Sequence, residues 1–217
     1  MVGTFQPALG QAVGATGAAN ALIAGAHASG KGTAWTLTTA AALPPGFYDY
    51  QYIVQFTNGT RRTATDPCAR WGGSTPKRSG FVVGASPIDA PVRPVAGGRL
   101  AYRDLVVYEL NIDDYTAELS GLAPPIEKVR AKIPDLAGLG VNAIEFLPWT
   151  AWADDNYGWG YTPGSFFSIE HRYTQNLLAA EDTIQRSRLK RLISELHDAG
   201  IHVIMDGVFN HAGGEFA

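Results

Sequence analysis

Asp206, Asn210 and His211 stand close together just behind an apolar run, Ile201 to Met205, near the C-terminus. The run is rich in Ile and Val, the composition of a buried parallel strand. A carboxylate, an amide and an imidazole directly behind such a strand are costly unless they are paired or face a site. Each has its own chemistry. Asp206 can hold a cation or accept hydrogen bonds, and a neutral His211 can donate to a hydroxyl without burying a charge. The Asn210 side-chain oxygen can serve a hard cation, although calcium needs six to eight oxygens and one amide does not make that site. Upstream, Tyr161 lies in Asn156 to Pro163, NYGWGYTP, a Gly-rich loop flanked by tryptophan. A tyrosine there either presents its ring over the strand ends or packs the loop.

The elements that must position these residues alternate from Leu100 onward. Asp104 to Ile112, DLVVYELNI, has the pattern of a buried strand. Pro125 to Leu139 is helical, with Ile126, Val129, Ile133 and Leu136 on one side and Gly140 as its stop. Pro134 inside it should kink or restart the helix. Val141 to Leu147 is a second strand, closed by Pro148. A loop from Trp149 to about Asp182 is far longer than a usual strand-to-helix connection. Ser187 to Ala199 is a second helix, and Ile201 to Asp206 a third strand. The order strand, helix, strand, helix, strand implies a parallel sheet, and in a parallel barrel substrate is handled at the C-terminal strand ends.

Residues 1–95 read as β structure. In Phe47 to Phe56, Tyr48, Tyr50, Tyr52, Val54 and Phe56 share one face. Asn58-Gly59 suggests a type I′ hairpin, with Arg61 to Thr65 as the returning strand. Ala34 to Thr39 offers another strand, carrying Trp35 and Leu37. The expected module is a small β-sandwich, its tyrosine stripe in the core, with Trp35 and Trp71 the better candidates for an exposed sugar platform. Residues 84–100, with regular prolines and a Gly pair, read as the linker.

Asp206, Val208, Asn210 and His211 fill the four fixed positions of D-x-V-x-N-H, a motif at the end of the third barrel strand in the α-amylase superfamily, glycoside hydrolase family 13. Gly140 to Pro148, GVNAIEFLP, resembles that family's second-strand pattern G-x-x-x-I-x-x-x-P, and NYGWGYTP resembles its following loop, N-x-x-G-Y-D-P, with Thr162 where aspartate is usual. Pro44-Pro45-Gly46 before the Tyr-rich strand, the Asn-Gly hairpin and Thr65-Asp66-Pro67 look like the immunoglobulin-like module that precedes the barrel in branching and debranching enzymes. The resemblance implies an immunoglobulin-like β-sandwich over 1–95, a candidate carbohydrate-binding module, followed over 100–217 by the first three strands of a truncated TIM (β/α)8 barrel.

By the same resemblance Tyr161 stacks on the sugar at the cleavage subsite and His211 donates to one of its hydroxyls. Asp206 holds an arginine of the fourth strand, and Asn210 is a candidate calcium ligand, though no cofactor is required. Retaining glycosidases use two carboxylates about 5 Å apart. In the family these lie on the fourth and fifth strands, so the resemblance places both beyond Ala217. The expectation is the N-terminal part of a retaining α-glucan glycosidase of the α-amylase, pullulanase or branching-enzyme type, inactive by itself. The alternative is a non-catalytic protein that binds glucan through its β module. Asp113 and Asp114 cap a loop or line the cleft, Glu145 awaits a barrel partner, and His197 and His202 read as surface or packing residues.

The bulk properties narrow the partners. At 46% hydrophobic and 17% charged residues the composition is that of a folded chain. A net charge of −3 with no basic run argues against nucleic acid and anionic membranes. No stretch reads as a transmembrane helix. The Ala/Gly-rich Val13 to Ala28 lacks the basic start of a secretory signal. Cys68 stands alone, which excludes an intrachain disulfide. The compartment stays open, with a lean towards the cytoplasm.

Overall fold

The strand Gly46–Gln55 (β3) is the axis of the N-terminal half. In the computed structural model, which describes residues 2–9, 23–24, 42–55, 58–73, 79–84, 90–152, 158–174 and 184–213, β3 pairs antiparallel along one whole edge with β1 (Val2–Leu9). Its other edge is shared. Residues 46–50 pair with β6 (Ser79–Val83) and residues 52–55 with β4 (Arg61–Ala64). Short β2 (Ile23–Ala24) and β5 (Trp71–Gly72) extend the sheet at its ends. The described strands of this half therefore form one six-stranded antiparallel sheet. The second layer of the expected sandwich, with the Ala34 to Thr39 strand and Trp35, lies outside the described residues.

The expected two-residue hairpin is corrected. The pair Gln55↔Arg61 leaves residues 56–60 between the strands, so the connection is five residues long. Within it the Asn58 side-chain oxygen accepts from the Thr60 backbone N–H (3.0 Å) and hydroxyl (2.7 Å), an Asx turn that competes with the tighter geometry. Tyr48 and Tyr50 of the expected stripe are core, and the side chains of Tyr52, Val54 and Phe56 lie outside the description. Tyr48 and Tyr50 are buried against Phe81, with ring centroids 5.3 and 5.6 Å away, and the Tyr48 hydroxyl donates to the Pro44 carbonyl (2.7 Å).

The C-terminal half is built on three parallel strands, β7 (Val107–Leu110), β8 (Ala143–Phe146) and β9 (His202–Met205), in that order. Helices α2 (Pro125–Ala131), α3 (Ile133–Gly138) and α5 (Gln185–Asp198) cover one face. Leu110, Ile144 and Phe146 meet Ile126, Val129, Leu136, Leu192 and Leu196 there. The helix does restart before Pro134, at Lys132, because a proline cannot supply the N–H that a continuous helix needs. The first strand is shorter and barer than its apolar run suggests. Tyr102–Asp104 form a 3₁₀ turn, and Val106 and Val107 are both exposed.

The expected linker is held along its described part, residues 90–100. Arg93 N–H donates to Ser194 Oγ (3.2 Å), Ala96 N–H to the His197 carbonyl (2.8 Å) and Leu100 N–H to His202 Nε2 (3.1 Å). His197 Nδ1 lies 2.6 Å from the Arg93 carbonyl, so both histidines fasten this strap.

The N-terminal sheet also touches the C-terminal half directly. Gln185, fully buried, accepts from the Gly72 N–H and donates to the Gly72 carbonyl, each at 3.0 Å. Gly72 lies so close to the loop beyond β8 that a Cβ there would stand 2.4 Å from the Ile169 carbonyl oxygen. Phe166 N–H donates to the Pro67 carbonyl and Ser165 Oγ to that of Ala69, both at 3.2 Å.

Candidate active site

Parallel strands bring their C-terminal ends to one side, and there the loop after β8 meets the segment after β9. Gly160 makes the approach possible. Its φ is +87°, and a Cβ would lie 2.5 Å from the Pro148 carbonyl oxygen. Immediately after it, the Tyr161 hydroxyl donates to Asp206 Oδ2. His211 Nε2 lies 2.6 Å from the Tyr161 carbonyl, and Asn210 Nδ2 lies 2.7 Å from His211 Nδ1. Gly213 N–H closes the seam on the Pro163 carbonyl (2.9 Å). Tyr161 therefore forms one connected group with Asp206, Asn210 and His211, which lie 45 to 50 residues further along the chain.

Their hydrogen bonds define proton positions. A carbonyl can only accept, so His211 Nε2 carries the hydrogen, and Nδ1 is then free to accept from the Asn210 amide. That is the neutral imidazole. The hydrogen bond to Asp206, with burial and the charges of Asp206, Glu109 and Glu145 behind it, pushes the Tyr161 phenol up to about 12. It therefore stays a neutral donor. Its ring is 39% exposed and borders a cleft of about 740 Å³, shared with Tyr108, Glu109, Asn111, Asp114 and Trp159.

Asn210 meets His211 through Nδ2 and not through its side-chain oxygen, and among the described residues no three His, Cys, Asp or Glu side chains stand together as a metal site.

Two acidic groups brace the surroundings. Glu170, in the loop between β8 and α5, is fully buried and accepts from His171 Nδ1 (2.8 Å), Arg172 Nε (2.7 Å) and the Trp152 N–H (3.3 Å). Burial alone would raise its carboxyl, but His171 and Arg172 outweigh that and hold it below the ordinary range. Asp113 lies with Asp114 in the first turn of a short helix, α1 (Ile112–Thr116), rather than in a loop. Burial pushes the Asp113 carboxyl up to about 6, against the lowering pull of Arg172 and with a further push from Glu170 and Asp114.

A pH dependence follows. A carboxyl raised in the folded state stabilises fully below its unfolded pKa, near 4, and loses that contribution as pH rises through 6. Asp113→Asn is expected to remove this decline and to stabilise the chain at pH 7 by about 1–2 kcal/mol after solvent screening. Urea unfolding at pH 4 and pH 7 checks it; equal pH slopes for both proteins would count against it.

The alpha-amylase catalytic domain family matches residues 125–217, the span holding α2, β8, the Tyr161 loop, α5 and β9. Residues 125–217 are thus similar to that family. Chloroplastic isoamylase 3 of Oryza sativa subsp. japonica is 37% identical over 126 residues, covering 50% of this chain and 16% of its own length. An isoamylase of Flavobacterium sp is 33% identical over 130 residues, with 52% and 16% covered. Pullulanase A of Streptococcus pneumoniae is 30% identical over 131 residues, with 50% and 10% covered. The chain thus spans less than a fifth of the length of these relatives. Among solved structures, the product complex of the multi-modular glycogen-degrading pneumococcal virulence factor SpuA superposes with a TM-score of 0.71 at 22% identity, covering 97% of this chain and 25% of that one. The Group B Streptococcus pullulanase SAP in complex with maltotetraose gives 0.69 at 22%, covering 97% and 31%. At such identity the likeness concerns the fold.

Within residues 125–217, all four singled-out residues fall in the one cluster. Outside it, Trp71 does not present a bare platform, since the Arg186 guanidinium lies 5.3 Å from its ring centroid. Sequence reasoning missed Glu170, Gln185, Asn111 and Trp159 as positioning or cleft residues. The charged triplet Glu170-His171-Arg172 inside an aromatic-rich loop was a usable signal for the first. The others carry none, because their contacts are made across the fold.

Proposed function

We propose that this chain supplies the first part of the substrate-binding face of a retaining glycoside hydrolase acting on α-glucosidic bonds in starch- or glycogen-like polysaccharides. The observation that carries the reading is the meeting of Tyr161, Asp206 and His211 at the C-terminal ends of β8 and β9, inside the span similar to the alpha-amylase catalytic domain family. The Tyr161 ring stacks on a glucose unit, held in place by Asp206 below and by His211 through its own carbonyl. The His211 Nε2–H is exchanged from that carbonyl to a sugar hydroxyl when substrate arrives. Asp206 takes a cationic partner from sequence outside these 217 residues. That sequence also supplies the nucleophile and the general acid/base that break the bond by double displacement. The similarity to isoamylases and pullulanases favours branched α-glucans.

Two Tyr161 variants, made in the protein as its gene encodes it, test the assignment. Tyr161→Ala is expected to lose roughly tenfold or more in malto-oligosaccharide affinity, and Tyr161→Phe, which keeps the ring, to lose far less. Parental affinity in Tyr161→Ala would remove the residue from the site.

A further inference from the structure

The Asn58-Gly59 turn lies outside the proposed site, and its geometry favours a reaction of its own. Asn58, Gly59 and Thr60 are all exposed in the connection between β3 and β4. The Asn58 side-chain oxygen accepts twice, from the Thr60 backbone N–H at 3.0 Å and from the Thr60 hydroxyl at 2.7 Å. A backbone N–H can only donate, so the atom facing it is the oxygen and the NH2 group turns away. This Asx turn curls the side chain forward over the Gly59 peptide.

Three features converge on one carbon, Asn58 Cγ. Both Thr60 donors draw electrons towards its oxygen, as the donors of an oxyanion hole do. The nucleophile next to it is the Gly59 backbone nitrogen, whose N–H makes no backbone hydrogen bond among the described residues. The approach is open. Gly59 has φ +85° and no side chain, and even a Cβ there would meet no atom within 4 Å.

We propose that this turn is a self-modifying site, in which Asn58 deamidates through attack by the Gly59 nitrogen while Thr60 stabilises the oxyanion. The Gly59 nitrogen gives its proton to water and bonds to Cγ. The Cγ–Nδ2 bond then breaks, and ammonia leaves with a proton returned from water. A second water opens the resulting succinimide at either carbonyl, which leaves aspartate or isoaspartate at position 58. Nothing is oxidised or reduced. The product adds one carboxylate to a chain of net charge −3. Its isoaspartyl form routes the backbone through the former side chain, which lengthens the five-residue connection and loosens the Gln55↔Arg61 pair beside it.

Peptide mapping by mass spectrometry of the protein as encoded, held at neutral pH and sampled over days, tests it. Thr60→Val, Thr60→Ser and a synthetic peptide of residues 56–61 run alongside. Conversion at position 58 with release of ammonia is expected. Thr60→Val keeps the N–H but loses the hydroxyl, and should slow the conversion about threefold or more. Thr60→Ser, which retains the hydroxyl, should hold the parental rate. An Asn58 amide that outlasts the one in the peptide would overturn the proposal. So would equal rates in the parental protein and Thr60→Val, since the turn would then give no assistance.

Discussion

Glu170→Ala is expected to destabilise the folded chain by about 3–5 kcal/mol, the cost of breaking a buried ion cluster from one side. The carboxylate accepts from His171, Arg172 and the Trp152 N–H with no exposure to water. Alanine would leave the His171 ring and the Trp152 N–H facing a void. Arg172 could not simply turn outward, since its guanidinium also lies 4.3 Å from the centre of the buried Trp152 ring. Glu170→Gln retains an acceptor for the backbone and part of the cluster and should lose less. Because the Glu170 carboxyl sits below its ordinary range, its contribution is present above the unfolded pKa and fades as pH falls through the folded one. Urea unfolding at pH 7 measures the effect. A loss below 1 kcal/mol for Glu170→Ala would mean that the cluster does not brace the loop.

Gln185→Leu is expected to cost about 2–4 kcal/mol, because it strands both backbone groups of Gly72 in a buried place. The glutamine amide meets the N–H and the carbonyl of one residue of β5 across more than a hundred positions of sequence. Leucine fills a similar volume and meets neither. Hydrogen exchange separates this from general loosening: the Gly72 amide should lose protection before the amides of β8 do. Unchanged protection at Gly72 would contradict the role given to Gln185. Gly72 also lies against the Ile169 carbonyl, in the loop that carries Tyr161.

How much of this was legible in the sequence varied with the range of the interaction. The period of two in Gly46–Gln55 and the helical spacing of Leu189, Leu192 and Leu196 are local, and both elements lie where those patterns put them. The break at Lys132 followed from Pro134 alone. The Asn-Gly pair misled because an Asx turn at Asn58 served a longer connection equally well. The first strand misled because an apolar run reports only that its residues tolerate burial, and Val106 and Val107 are both exposed. Residues 201–211 placed the site through residue type and position behind a strand. They did not reveal that His211 would hold the Tyr161 carbonyl, or that Asn111 would retain an unused donor, since both depend on where a distant segment comes to lie.

The proposed chemistry is tested most directly by proton NMR of glycogen incubated with the protein as its gene encodes it, following the anomeric signals of newly formed reducing ends. A retaining mechanism predicts that the α-anomer appears first and relaxes to the equilibrium mixture, with the rate lowered by Tyr161→Ala. First appearance of the β-anomer, or tight glycogen binding with no new reducing ends, would contradict it.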